Sequence, residues 1–384
     1  VFFVADISAK KLTWVPGESF LPLMEEESPQ QNAPKFEATP IPVSFMITES
    51  IDLSKAAAEF GEHLGAIAVQ LGFPSTLVER AIVADTARFS EALAQFAGNR
   101  TFTNDHGLQA AAKTIRIPDT NPCRSAIVFN VSIVVTVLNA GHEKGWNVSE
   151  WPTAERHHFY VIAHELGHCV DHALRQDIID DGTWRDEAGN RVTNGLHRNL
   201  HAFEFSRVYP EVAACVISGV VYADAMRDLD AKMNNEALLK MLDELATMAN
   251  TATPNYGAIT KRVAATFWFV LMQHAKFVGS RIGYTKITDV KPAKLWHIAE
   301  ALPEVGAALD DVDGALVIAW KAYPEVSPEI LPKMVESFHR ISRACGYSME
   351  TRNGNEGVWW NNWTVTALML KLRLHAFTAN GNQT

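Results

Sequence analysis

The sequence predicts an α+β protein that is mostly helical. Three observations carry this expectation. Short runs of β-branched and aromatic residues are confined to roughly the first 140 positions. From about Met226 onward, apolar residues recur almost throughout at the spacing of one helix face. Between these regions lies His164-Glu165-Leu166-Gly167-His168, inside a stretch that reads as one long helix. The expected organisation is a β-containing N-terminal segment over 1–50, a catalytic core over 51–228 and a helical C-terminal domain over 229–384.

In chain order, Val1 to Ile7 and Leu12 to Val15 read as strands joined by Ser8-Ala9-Lys10-Lys11, a hairpin. Met24 to Pro40 reads as loop, and Ile41 to Ile47 as a further strand. Ser54 to Leu71 and Ser75 to Phe96 are alanine-rich with helical spacing, which predicts two helices punctuated by Phe73-Pro74. Lys113 to Ile117 and Ala126 to Leu138 read as strands around the turn Pro118 to Pro122. Thr153 to Leu174 is the helix that carries the motif. Asp177 to Asn199 is polar and reads as a long loop, and Pro210 opens a helix running to about Met226. Helices then follow over Asn234 to Met248, Ala258 to Phe277, Pro292 to Ala301, Gly314 to Ala322, Pro328 to Cys345 and Thr364 to Phe377.

Of the 384 residues, 47% are hydrophobic and 20% charged, the balance of a folded chain able to bury a sizeable core. The formal net charge of −10 disfavours direct binding to nucleic acid or anionic lipid, and no basic run overrides it. No apolar run reaches membrane-spanning length. Cys123, Cys169, Cys215 and Cys345 form no C-x-x-C pair, which argues against a disulfide scaffold or a zinc ribbon and fits a reducing compartment. The chain starts at Val1, without methionine or a basic leader, so processing or a longer parent chain is expected, and the compartment stays open.

The five-residue motif carries the chemistry. Residues i and i+4 share a helix face, so His164 and His168 can reach one zinc ion, and Glu165 can hold the water that the metal activates. The flanks Val161-Ile162-Ala163 and Cys169-Val170 are uncharged, as a buried metal helix requires. Gly167 costs about 1 kcal/mol against alanine in a helix interior, which points to a packing or functional reason: room for a close approach by metal, substrate or another segment. Two buried histidines satisfied by hydrogen bonds are the bland alternative.

A catalytic zinc takes three protein ligands and keeps one position open. Glu211 is the leading third ligand, because Val212-Ala213-Ala214 after it would let its helix pack closely on the motif helix. Glu204, His201 and His197 remain alternatives. Asp171 and His172, one turn beyond His168, are candidates to orient a ligand.

The motif followed by Glu211 about forty residues on resembles the gluzincin group of zinc metallopeptidases. Arg156, Phe159, Ala163 through His168 and Glu211-Val212-Ala213-Ala214 resemble the ImmA/IrrE-type peptidases. Val170-Asp171 and the glutamate spacing are similar to the lethal-factor type of toxin peptidase. The resemblance spans Arg156 to roughly Met226. It implies a zincin-like catalytic core, a Zn2+ cofactor, a protein or peptide substrate, His164, His168 and Glu211 as ligands, and Glu165 as general base. The lethal-factor type has a catalytic tyrosine one or two turns before its glutamate. Glu204 stands at that place here, and the nearest tyrosine is Tyr209. A second donor should steady the oxyanion, usually a Tyr, His or Arg, and Tyr209, His201 and Tyr222 are the candidates.

The expected reaction is hydrolysis of a peptide bond by an endopeptidase. A regulatory or binding module that keeps the helix pair, and a toxin or effector peptidase with one protein target, are the competing expectations. His157-His158 reads as surface, and the aromatic segment Gly354 to Trp363 as a helix anchor or a cleft lining.

Overall fold

The structure is a computed structural model that describes residues 2–6, 11–15, 37–49, 52–97, 111–117, 120–175, 208–219, 222, 224–284, 290–324, 330–352 and 355–381. The chain is mostly helical, with its four-stranded sheet on the N-terminal side. It divides into two compact units whose segments interleave. Unit 1 takes Val1–Gly182, Ala213–Met226 and Gly279–Lys286, and unit 2 takes Thr183–Val212, Arg227–Val278 and Ile287–Thr384. The expected loop over Asp177 to Asn199, the alternatives Glu204, His201 and His197, and most of the loop Met24 to Pro40 lie outside the described residues.

Unit 1 opens with the expected hairpin, strands β1 (Phe2–Asp6) and β2 (Lys11–Val15), paired antiparallel from Phe2↔Val15 to Asp6↔Lys11. Its main sheet contains β3 (Val43–Met46), β4 (Val78–Ala84), β5 (Ala112–Ile117) and β6 (Arg124–Asn130) in the order β3-β4-β6-β5. The first two pairings are parallel, and β5 runs antiparallel at the edge. Side chains of a strand alternate between faces. Ala81, Val83, Ile127 and Phe129 therefore enter one core with helices α1 (Ser54–Gln70), α3 (Val131–Lys144) and α4 (Thr153–Leu174). Ile82, Ala84 and Val128 enter the opposite core with Phe89, Ala92 and Leu93 of α2 (Phe89–Ala97). The sheet is thus covered on both faces, and α4 is held on the same side as α1 and α3.

Two stretches differ from the sequence expectation. Ser75 to Phe96 is not one helix: it holds a 3-10 turn, the central strand β4 and then α2. Its alanines suit a helix, but Ala81-Ile82-Val83-Ala84 is an unbroken buried run, as expected of a strand enclosed on both faces. The strand expected over Ala126 to Leu138 stops at Asn130, whose side chain accepts from the Ser132 N–H at 3.0 Å and caps α3. Beyond the cap, Ile133, Val134 and Val137 are buried at helical spacing, which overrides their β-branching.

Among the described residues helix α5 covers 208–218, so the chain is already helical two residues before Pro210. Ala213 onward belongs to unit 1, and Glu211 lies one turn before Cys215 in the same continuous helix.

Unit 2 is built on helices α6 (Asp224–Ala249), α7 (Tyr256–Gly283, whose last turns belong to unit 1), α8 (His297–Ala301), α9 (Pro303–Lys321), α10 (Ile330–Ala344) and α11 (Asn362–Gly381). Trp268 stacks on Phe338 at 5.4 Å, tying α7 to α10. The tryptophan-rich segment is not a helix anchor alone. It forms strand β8 (Asn355–Trp360), paired antiparallel with β7 (Tyr347–Arg352) from Tyr347↔Trp360 onward. No helix among the described residues is long and apolar enough to cross a membrane.

The cap at Asn130 sets where β6 ends and α3 begins, and α3 packs in the core that supports α4. Asn130→Ala is expected to lower the free energy of unfolding by about 1–2 kcal/mol in urea denaturation. An unchanged midpoint and slope would contradict this role.

Candidate metal centre

Helix α4 places Tyr160, His164, His168 and His172 on one face at successive i, i+4 steps, with ring centroids 5.9, 4.7 and 6.4 Å apart. The two middle rings turn their Nε2 atoms to each other at 3.1 Å, and both residues are buried. Two donors on a tetrahedral zinc, each about 2.0–2.1 Å from it, lie roughly 3.3 Å apart. The imidazole pair is therefore already spaced for a shared ion.

The ligand atoms of His164, His168 and Glu211 all lie within 4.8 Å of one another. The sequence brings Glu211 there through small residues. A Cβ on Gly167 would stand 2.8 Å from the carbonyl oxygen and 3.0 Å from the Cα of Ala214. The backbones of α4 and α5 touch at that point, and Glu211 stands three positions before Ala214. Two neutral imidazoles and one carboxylate suit a divalent cation of intermediate softness, zinc among them. The residues therefore fit a metal ion, although the donor set does not name the element.

Glu165 faces a different neighbour. Thr114 Oγ1, on edge strand β5, lies 2.7 Å from Glu165 Oε2 and 2.9 Å from the Glu165 carbonyl oxygen, with both residues buried. The single hydroxyl proton of Thr114 has two acceptors on the same residue, so the carboxylate is oriented from the strand. Across α4, Cys169 Sγ donates to the Glu165 carbonyl at 3.5 Å, and burial pushes the Cys169 thiol far above its usual range. That cysteine is packing, as its position on the helix predicts.

Asp171 and His172 sit as follows. Asp171 is fully buried and paired with Arg175, whose Nε donates to Asp171 Oδ1 at 2.6 Å. His172 Nδ1 is 2.8 Å from Ser125 Oγ, and its pKa is pushed down to about 4, by burial first. Tyr209 is buried in unit 2, its hydroxyl donating to the Ala319 carbonyl at 3.2 Å. Tyr222 packs its ring on Tyr160 at 5.0 Å.

Three groups enter the picture that the sequence reading did not select: Thr114, Lys276 and Cys215. Lys276 Nζ is 3.3 Å from Glu211 Oε2, placing a cation beside the third carboxylate. Cys215 Sγ is 3.5 Å from His164 Nδ1 and accepts from the Tyr160 hydroxyl at 3.2 Å. Tyr160 is held protonated well above its usual pKa, by burial first and then by the nearby Cys215 and Tyr222. Spacing carried a signal for one of these, since Cys215 follows Glu211 by four. Compared with models of protein families, with curated proteins and with solved structures, the chain finds no match.

Gly167 makes an unusual test. In an open helix, Gly→Ala stabilises by about 1 kcal/mol, whereas overpacking a close contact costs about 1–3 kcal/mol. Gly167→Ala is therefore expected to lower the melting temperature and to weaken metal retention together. A variant that is more stable and binds metal as before would show that the helices do not need this contact.

Proposed function

We propose that the chain is a zinc-dependent endopeptidase of the gluzincin type, with a zincin-like core in which His164, His168 and Glu211 hold the metal and Glu165 is the general base. The observation that carries this reading is the convergence of the three ligand side chains, with Glu165 one residue from His164. A zinc ion held by these three residues would supply Lewis acidity, lowering the pKa of a water and polarising a carbonyl.

The chain's own residues supply the rest. Glu165 accepts a proton from the attacking water and delivers it to the amine as the peptide C–N bond breaks. Thr114 keeps the Glu165 carboxylate in one orientation through the 2.7 Å contact. Strand β5, which carries Thr114, is the edge of the described sheet. An extended peptide can add to such an edge through main-chain hydrogen bonds, which suits a protein or peptide substrate. Its scissile bond would then lie beside the strand that positions the base.

Glu165→Gln removes the base and keeps the size of the side chain. With zinc at the wild-type level, cleavage of a peptide library read by mass spectrometry is expected to fall about 10²–10⁴-fold. Wild-type cleavage by the zinc-loaded variant would overturn the mechanism. Absence of cleavage by both proteins, with zinc bound, would favour a binding module that keeps the helix pair.

A further inference from the structure

A metal-bound imidazole commonly donates its second N–H to a carboxylate, a carbonyl or water, which fixes the ring and its tautomer. At His164 the sulfur of Cys215 lies 3.5 Å from Nδ1. That sulfur is fully buried and lies one helical turn beyond Glu211 on α5. It is itself held, because Tyr160 Oη donates to it at 3.2 Å and Ser280 Oγ lies 3.1 Å from the same hydroxyl. Tyr160 is one turn before His164 on α4, and Ser280 belongs to the last turns of α7. Two close backbone approaches keep these elements in place: Gly167 against Ala214, and Gly283 against Val216 and Gly219.

We propose that Cys215 is a positioning residue of the metal centre: its sulfur accepts the Nδ1–H of His164, with Tyr160 and Ser280 steadying the sulfur, so that the Nε2 lone pair of His164 is presented to the ion. The inference rests on the reading of His164 as a metal ligand. It gives one of the four cysteines a role in the site without making it a ligand or a nucleophile. The geometry also explains a choice of side chain. Sulfur is a weak acceptor and larger than oxygen, so it can hold the buried ring without bringing a further negative charge beside Glu211 and Glu165. A carboxylate at position 215 would add that charge.

The test is zinc affinity measured by competition with a chromogenic chelator on the full chain. Cys215→Ala is expected to bind zinc about 10–100-fold more weakly, the range seen when such an orienting partner is lost. Cys215→Ser, which keeps an acceptor, is expected to recover part of that loss, and Tyr160→Phe to show a smaller loss than Cys215→Ala. The d–d absorption of the cobalt-substituted protein should change in Cys215→Ala, because the geometry at the ion changes. Leu93→Ala, a cavity in the core on the opposite face of the sheet, which holds no residue of α4, serves as the stability control and should keep wild-type affinity. If Cys215→Ala fails to fold, Cys215→Ser and Tyr160→Phe carry the test on the same readout. Wild-type affinity and spectra in Cys215→Ala, or in both of those variants, would overturn the positioning role. His168→Ala separates the two levels of the argument: if it too binds zinc like wild type, the metal reading itself fails, whereas loss of zinc there with none in Cys215→Ala refutes only the inference about Cys215.

Discussion

The contact between Gly167 and the backbone of Ala214 is the constraint on which the candidate site depends. Three ligand atoms can meet only if the helix that supplies the third one comes near enough to the helix that supplies the first two. A side chain at position 167 would meet the Ala214 carbonyl at 2.8 Å, so the two backbones are separated by no side chain at that point. The glycine weakens its own helix by about 1 kcal/mol, which the burial of Leu166, Cys169 and Val170 around it offsets. The run Val212-Ala213-Ala214, fully buried, is the matching half of the contact.

Once the helices are this close, the polar groups between them have to be satisfied. Buried histidines and carboxylates lose hydration, so each must gain a partner or an ion. The structure meets this demand locally. Thr114 takes one oxygen of Glu165, Cys215 faces the outer nitrogen of His164, and Lys276 pairs with Glu211. The two Nε2 atoms of His164 and His168 face each other. Thr114 comes from β5 and Cys215 from α5, so two elements besides α4 supply partners to the motif.

Much of this was legible in the amino-acid order, and what was not has physical reasons. The motif helix follows its expected bounds, Thr153–Leu174, because a long run at one helical period is the strongest local signal a sequence carries. Glu211 was legible through the small residues after it. β4 was read as helix because alanine is ambiguous in a buried run, and only pairing with β3 and β6 decides it. The end of β6 was missed because a single capping asparagine outweighs the β-preference of the residues that follow. Thr114 could not be chosen in advance, and Cys215 showed only its spacing from Glu211, since their contacts join positions about fifty apart and depend on tertiary packing.

The central claim is that His164, His168 and Glu211 hold one metal ion. Metal analysis by mass spectrometry of the purified, dialysed protein, run beside His164→Ala and Glu211→Ala, tests it most directly. The account predicts about one zinc per chain in the wild type and a large loss in both variants, with the fold retained by circular dichroism. Stoichiometric zinc left unchanged in both variants would contradict it.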